Sequence, residues 1–216
     1  MSPLARAQLV EISRRLHAAG WVANHDGNAS VRLGRDRFLI TPTATSKASV
    51  TESMLVVVDA AGKRVEGLKK PPGELELHLA IYRTRPDVQA IVHAHPPYAT
   101  AFGAARQPLE PNCLPEAVIS LGQVPLAPFA LPRTELALEA VSRCASKGEA
   151  MLLPGNGAIA LGPDLSLAYL RLELVEHLAQ ILHHARALGG AQAIEPAEFA
   201  QLLELHRKTF PRPHES

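Results

Sequence analysis

With 216 residues, 47% of them hydrophobic and 20% charged, the chain has enough apolar side chain to bury one good-sized core. Its 22 basic and 21 acidic residues leave a net charge of +1, which argues against nucleic acid or an acidic membrane as the main partner. Aromatic residues at 4% offer no platform for stacking bases, and Cys113 and Cys144 are too few for a disulfide framework.

Both cysteines read as packing residues in a reducing, cytoplasmic setting. No apolar run reaches the ~20 residues that span a bilayer, and the N-terminus carries no secretory apolar stretch.

Taken in chain order, Ser2-Pro3 opens a helix whose Leu9, Ile12, Leu16 and Ala19 form one stripe that closes at Gly20. Short strands follow around Val31 and from Phe38 to Ile40, then from Leu55 to Val58, with a turn at Asp59 to Gly62. The stretch from Gly73 to Tyr82 is helical in pattern, because Leu77 and Ile81 recur at i and i+4, as do Glu74 and His78. Glu74 stands at the helix start, where the dipole favours a carboxylate, and there it is either a helix-start residue or a metal ligand and proton-transfer group.

The apolar run Ala90-Ile91-Val92-His93-Ala94-His95 is a strand that ends in two histidines, with Pro96 and Pro97 stopping the ladder. Side chains alternate along a strand, so His93 and His95 point the same way. They are half of a metal site or a surface pair on an edge strand. A short helix from Tyr98 to Ala104, a Pro-rich loop, a strand from Gln123 to Ala127 and a helix from Thr134-Glu135 to about Ala145 come next. Met151 to Ala160 reads as two strands joined by a Gly155-Asn156-Gly157 turn. A long helix from Ser166 to Leu188 carries His177, His183 and His184, whose spacing matches no metal motif and reads as a solvated or interfacial face. One more helix from Glu195 to Phe210 ends the single domain of residues 1–210. Residues 211–216, with Pro211-Arg212-Pro213, read as a disordered tail.

As a set, Gly27-Asn28-x-Ser30, Ile40-Thr41-Pro42-Thr43, Glu74-x-x-x-His78, Tyr82-x-x-Arg85-Pro86-Asp87 and His93-x-His95 resemble the class II aldolase/adducin family. The resemblance runs from about Leu9 to Ala187. It implies an α/β fold, a three-layer α/β/α domain with a mainly antiparallel sheet, assembled as a homotetramer. It also implies a divalent metal, most often zinc, held by three histidines and polarising a carbonyl or enediolate oxygen. On this chain His93 and His95 fall on the first two ligands and Asn156 on the third. Glu74 falls on the acid/base carboxylate, Asn28 and Thr43 on residues that hold a substrate phosphate, and Glu116 where many members carry a second functional side chain.

The departures are specific. Asn156 stands where the family keeps a histidine, and an amide oxygen is a weak zinc ligand beside imidazole. Ala44 replaces a glycine after the threonine, and Pro72 and Gly73 replace two serines. Pro72 offers a phosphate neither hydroxyl nor amide, so an unphosphorylated substrate is expected. The tyrosine that protonates in the family's aldolases, which would align near Leu114, and the C-terminal tyrosine that closes their site have no counterpart in this sequence. The resemblance implies a metal-dependent lyase acting through an enediolate on a small, sugar-like hydroxy-carbonyl compound. Epimerase, dehydratase or decarboxylase chemistry through the same intermediate is the alternative. A non-catalytic module like the head of adducin is a further one, which Asn156, Pro72 and Ala44 would mark as decay.

Overall fold

Alternate residues of the central strands face two separate apolar clusters, and that division sets the architecture. The computed structural model describes residues 3–212. In chain order these form α1 (Pro3–Ala18), β1 (Asn28–Gly34), β2 (Arg37–Ile40), β3 (Val56–Asp59), β4 (Arg64–Glu66), α2 (Leu75–Thr84), β5 (Ala90–Ala94) and α3 (Pro97–Ala104). There follow α4 (Pro115–Leu121), α5 (Glu135–Ala145), β6 (Ala150–Leu152), β7 (Ala158–Gly162), α6 (Leu165–Ala187) and α7 (Pro196–Thr209), with two short 3-10 turns between β2 and β3.

The strands make one sheet in the order β4-β3-β2-β1-β5-β7-β6, and each neighbouring pair is antiparallel. From β5, Ala90, Val92 and Ala94 join a cluster with α1, α3, α4 and α6, whereas Ile91 joins a cluster with α2 and α5. From β7, Ala158 and Ala160 take the first side, Ile159 and Leu161 the second. Helices therefore cover both faces, giving the three-layer α/β/α domain that the sequence implies. Fully buried Ile91 and Ile159 each contribute roughly 2–3 kcal/mol of transfer free energy. Local signals end the helices as the composition suggests: Asp164 accepts from Leu167 N–H at the start of α6, Thr134 from Ala137 N–H at the start of α5.

Glu149, just before β6 and 3% exposed, ties distant parts of the chain together. It pairs with Arg85 at 3.2 Å, Arg171 at 2.9 Å and Arg212 at 2.8 Å, and Arg85 also grips Asp87 at 2.6 Å. The expected disordered tail thus meets a held residue at Arg212, while residues 213–216 lie outside the described part, as does Ser2 of the expected first helix start.

Two local expectations are corrected, and one strand carries no signal in the sequence. Gln123 to Ala127 is not a strand but a single parallel bridge between Leu126 and Leu152, because Pro125 has no N–H to extend a ladder. Within the expected Pro-rich loop, Pro115 instead occupies the first turn of α4, a position where a missing N–H costs nothing. The short β4 strand after the Asp59 to Gly62 turn carries no apolar alternation, and all three of its residues are exposed.

Candidate active site

The parity that sorts the core also builds the site. On β1, Ala29 faces the α1 side, so Asn28 and Ser30 face α2; on β5, His93 shares the side of Ile91 and faces α2 as well. Asn28 and His93 are directly paired across the two strands. His95 lies just past the strand, its N–H held by the Trp21 carbonyl at 2.8 Å, and the His93 and His95 rings stand 5.3 Å apart. Behind them the buried Glu176 carboxylate accepts from Tyr98 N–H and Ala99 N–H, which fixes the start of α3 and the Pro96-Pro97 turn.

Two glycines allow the close approach of neighbouring turns. Gly27 has φ +68°, and a Cβ there would meet Val22 and the His93 carbonyl. Gly157 has φ +70°, and a Cβ there would collide with the Ala94 carbonyl. The turn after β6 therefore lies against the end of β5 and places the Asn156 carbonyl 2.8 Å from His93 Nε2, which donates to it.

Glu74, at the residue before α2, turns its carboxylate into this corner. Asn156 Nδ2 donates to Oε1 at 2.8 Å, Asn28 Nδ2 donates to Oε2 at 2.5 Å, and His93 Nδ1 lies 3.3 Å from Oε2. Burial works against its charge, but His93 and the hydrogen bonds from Asn156 and Asn28 outweigh burial and hold the carboxyl well below the usual range. For His93, burial is likewise outweighed by Glu74 and the Asn156 carbonyl, and its basicity rises. Burial, joined by His93, lowers the basicity of His95 against the opposing pull of Asp26, 3.6 Å away.

These groups line one wall of a cavity of about 440 Å³. Thr43, Pro42, Pro72 and Gly73 line another part, and Leu77, Phe129, Leu138 and Val141 make it largely apolar toward α5. Asn28, Thr43, Glu74, His95 and Asn156 all line it, and His93 lies fully buried behind Glu74. Glu116 does not belong: it stands exposed in the first turn of α4 and lines no part of the cavity, since chain order near a motif is not proximity to it. His177, His183 and His184 are exposed on α6, in keeping with a solvated face, and His183 packs edge-on against Tyr98.

Asn28 gives one Nδ2 proton to Glu74 and sets Oδ1 2.5 Å from His78 Nε2, so only its second Nδ2 proton is left to offer an anion. Thr43 keeps its place at the wall, with its N–H on the Lys70 carbonyl. Ala44 follows at φ +50°, a left-handed conformation that suits the family's glycine.

Sequence reasoning missed three site residues. Asp26 directly precedes the Gly27-Asn28-x-Ser30 motif but belongs to none itself. Lys47 is fully buried and donates to the His25 and Thr45 carbonyls, stapling two cavity loops; no spacing signals this. Arg133, 59 residues beyond Glu74, lays its guanidinium against Gly73 so closely that a Cβ there would stand 2.5 Å from Nη2. Its φ of +65° is a conformation a side chain adopts at a cost of about 1 kcal/mol, and among the described residues no carboxylate pairs with it. The glycine at 73 was the one available signal, as a position cleared for something large.

Two of the donors have the spacing of metal ligands. His93 Nδ1 is buried without an aligned hydrogen bond although Glu74 Oε2 is 3.3 Å away. Two ligands of one tetrahedral ion lie roughly 3.3 Å apart when their bonds are about 2.0–2.1 Å. Imidazole and carboxylate also suit zinc in kind. Among the described residues no three His, Cys, Asp or Glu side chains close on one point.

Residues 7–183 match the model of the class II aldolase and adducin N-terminal domain. The chain is 34% identical over 177 residues to an L-fuculose phosphate aldolase of Methanococcus vannielii, covering 82% of this chain and 94% of that one. It is 34% identical over 187 residues to a 3-oxo-tetronate 4-phosphate decarboxylase of Haemophilus influenzae, covering 84% and 88%. The structure of an L-fuculose 1-phosphate aldolase superposes with a TM-score of 0.85 at 29% identity, covering 94% of this chain and 96% of that one. The chain belongs to the class II aldolase and adducin family.

Proposed function

We propose that the protein is a divalent-metal-dependent lyase that cleaves or forms a carbon–carbon bond next to the carbonyl of a small, sugar-like hydroxy-carbonyl compound, through an enediolate. The observation that carries the reading is the Glu74 carboxylate, kept ionised between Asn28 and Asn156 beside His93 at the wall of a cavity large enough for a small substrate. A carboxylate so held takes a proton from a substrate hydroxyl at Oε1 or Oε2 as the bond breaks and returns it when the bond forms.

His93 and His95 would hold the metal, with Glu74 or the Asn156 amide oxygen beside them; zinc is the ion this donor set favours. Bound there, it supplies a Lewis acid that stabilises negative charge on substrate oxygens. Arg133, over Gly73 and near Thr43, binds an anionic group at the far end of the substrate. An arginine at the position of the missing serine hydroxyls keeps anionic substrates, phosphorylated ones included, within the reading.

Decarboxylation is the second reading, favoured by the 34% identical relative named for it. It uses the same stabilised charge next to a carbonyl but releases carbon dioxide. A homotetrameric assembly and a cytoplasmic setting complete the proposal. Among the described residues no helix is long and apolar enough to cross a membrane.

The test is a screen of phosphorylated and unphosphorylated hydroxy-carbonyl compounds with metal-loaded protein, run beside Glu74→Gln. Turnover by the wild type and its loss in a variant with an unchanged circular dichroism spectrum is the expected result. Retained turnover in Glu74→Gln overturns the assignment. Protein that neither contains nor takes up metal, and turns over nothing, leaves a non-catalytic module as the reading.

A further inference from the structure

We propose that His78 is a positioning residue for Glu74: through a buried, one-way chain of hydrogen bonds it fixes the amide of Asn28 so that its NH2 group faces the carboxylate. The chain starts in the core. Tyr82 Oη lies 2.9 Å from Ser30 Oγ, Ser30 Oγ lies 2.7 Å from His78 Nδ1, and His78 Nε2 lies 2.5 Å from Asn28 Oδ1. Asn28 Nδ2 then meets Glu74 Oε2.

Every direction in this chain follows from its last member. An ionised carboxylate can only accept, so Asn28 must present Nδ2 to it and turn Oδ1 to His78. Oδ1 can only accept, so His78 carries its proton on Nε2. A neutral imidazole then has an acceptor at Nδ1, so the Ser30 hydroxyl donates to it and the Tyr82 hydroxyl donates to Ser30. Burial drives the basicity of His78 down, which keeps the ring neutral as the chain requires.

Packing alone does not ask for this. Asn28, Ser30, His78 and Tyr82 are each 3% exposed or less, and Phe38, Leu79, Ile81 and Ile91 lie in the same apolar cluster as Tyr82. Apolar side chains would fill the same volume without four groups to satisfy. The chain leads instead to Glu74, a carboxylate that opens on the cavity. Rotating the Asn28 amide would set its oxygen against Glu74 and strand the His78 proton, so Asn28 stays as the fixed donor to Oε2. Asn156 holds Oε1 from the other side, and the carboxylate has one orientation. The i, i+4 spacing sets Glu74, the residue before α2, and His78, within it, along one side of the same helix.

The proposal has a structural arm and a kinetic arm, and only the second rests on the lyase reading. In protein labelled at histidine with nitrogen-15, at pH 7, the His78 resonance should show a proton on Nε2 alone; a proton on Nδ1, or on both nitrogens, overturns the chain. In the kinetic arm, His78→Leu should lower kcat by about 10- to 100-fold with KM changed less than about threefold. His78→Gln, which can still donate to Asn28 Oδ1, should recover part of that loss. Equal kcat per folded molecule in wild type and His78→Leu, with only a lowered thermal midpoint, would mean a purely structural role and overturn the proposal. If the wild type turns over no hydroxy-carbonyl compound, the lyase reading fails and the proton position by itself decides the chain.

Discussion

The side-chain amide of Asn156 donates to Glu74 Oε1 at 2.8 Å from the position at which the resembled family keeps a metal-binding histidine. The residue has exchanged a lone pair offered to an ion for a proton offered to a carboxylate. Asn156→His should therefore tighten zinc binding at least about tenfold, read by competition with a chromophoric chelator. Unchanged affinity would show that position 156 does not face the ion. The same variant removes a donor from Glu74, so its kcat should not rise in proportion.

Arg133 lies against a glycine that leaves room for it and brings a positive charge to the cavity wall. Arg133→Ala should raise KM for an anionic hydroxy-carbonyl substrate about tenfold, the effect of losing roughly 1.4 kcal/mol of charge-assisted hydrogen bonding, and leave an uncharged analogue unaffected. Gly73→Ser should displace the guanidinium and raise KM in the same direction. Steady-state kinetics on the two substrates separate these effects from general damage.

Acid should weaken the fold through His78. Burial lowers its pKa to about 3 from 6.5, so at intermediate pH the unfolded chain binds a proton that the folded chain refuses. The contribution is complete above pH 6.5 and declines as the pH falls toward 3. Below about 4.5 Glu149 adds to the decline. Burial opposes its charge, but Arg171, Arg85 and Arg212 together lower its pKa, and this stability is lost as the carboxyl protonates. Thermal midpoints between pH 7 and 4 should fall for the wild type and fall less steeply for His78→Leu.

Glu149→Gln should cost about 3–5 kcal/mol, because Arg171 would remain buried without a carboxylate and Arg85 would keep only Asp87. Arg212→Ala, which removes a partner from a half-open position, should cost about 1 kcal/mol. Urea unfolding curves with unchanged slopes are the measurement.

Ala44→Gly should stabilise the fold by about 1 kcal/mol or leave it unchanged, since the alanine is held at φ +50°. A clear loss of stability would mean that the Ala44 methyl makes contacts that outweigh its backbone strain.

Much of this was legible in the chain because the decisive signals are local. The alternation in β5 placed His93 on one face, and the i, i+4 pattern of α2 put Glu74 and His78 on one stripe. The three layers followed from the resemblance. What was not legible depends on distance in space. Arg133 reaches Gly73 across a loop, Lys47 bridges two turns, and neither residue type nor spacing announces it. Pro115 and Pro125 each mislead in their own way: one starts a helix where a loop is expected, the other cuts a strand to a single bridge. Glu116 lies away from the cavity because α4 packs with α1, α3 and α6, on the other face of the sheet from α2 and α5.

The pairing of Asn28 with His93 across β1 and β5 has a consequence for how such a protein can change. Two members of the corner share one rung of a buried sheet, whereas Thr43, Gly73 and Arg133 at the cavity wall are carried by connecting segments. Those segments can lengthen, shorten or exchange residues while the rung keeps its spacing. Recognition can thus drift through the loops while reactivity is inherited with the sheet, and a lineage can acquire new substrates without rebuilding its chemistry.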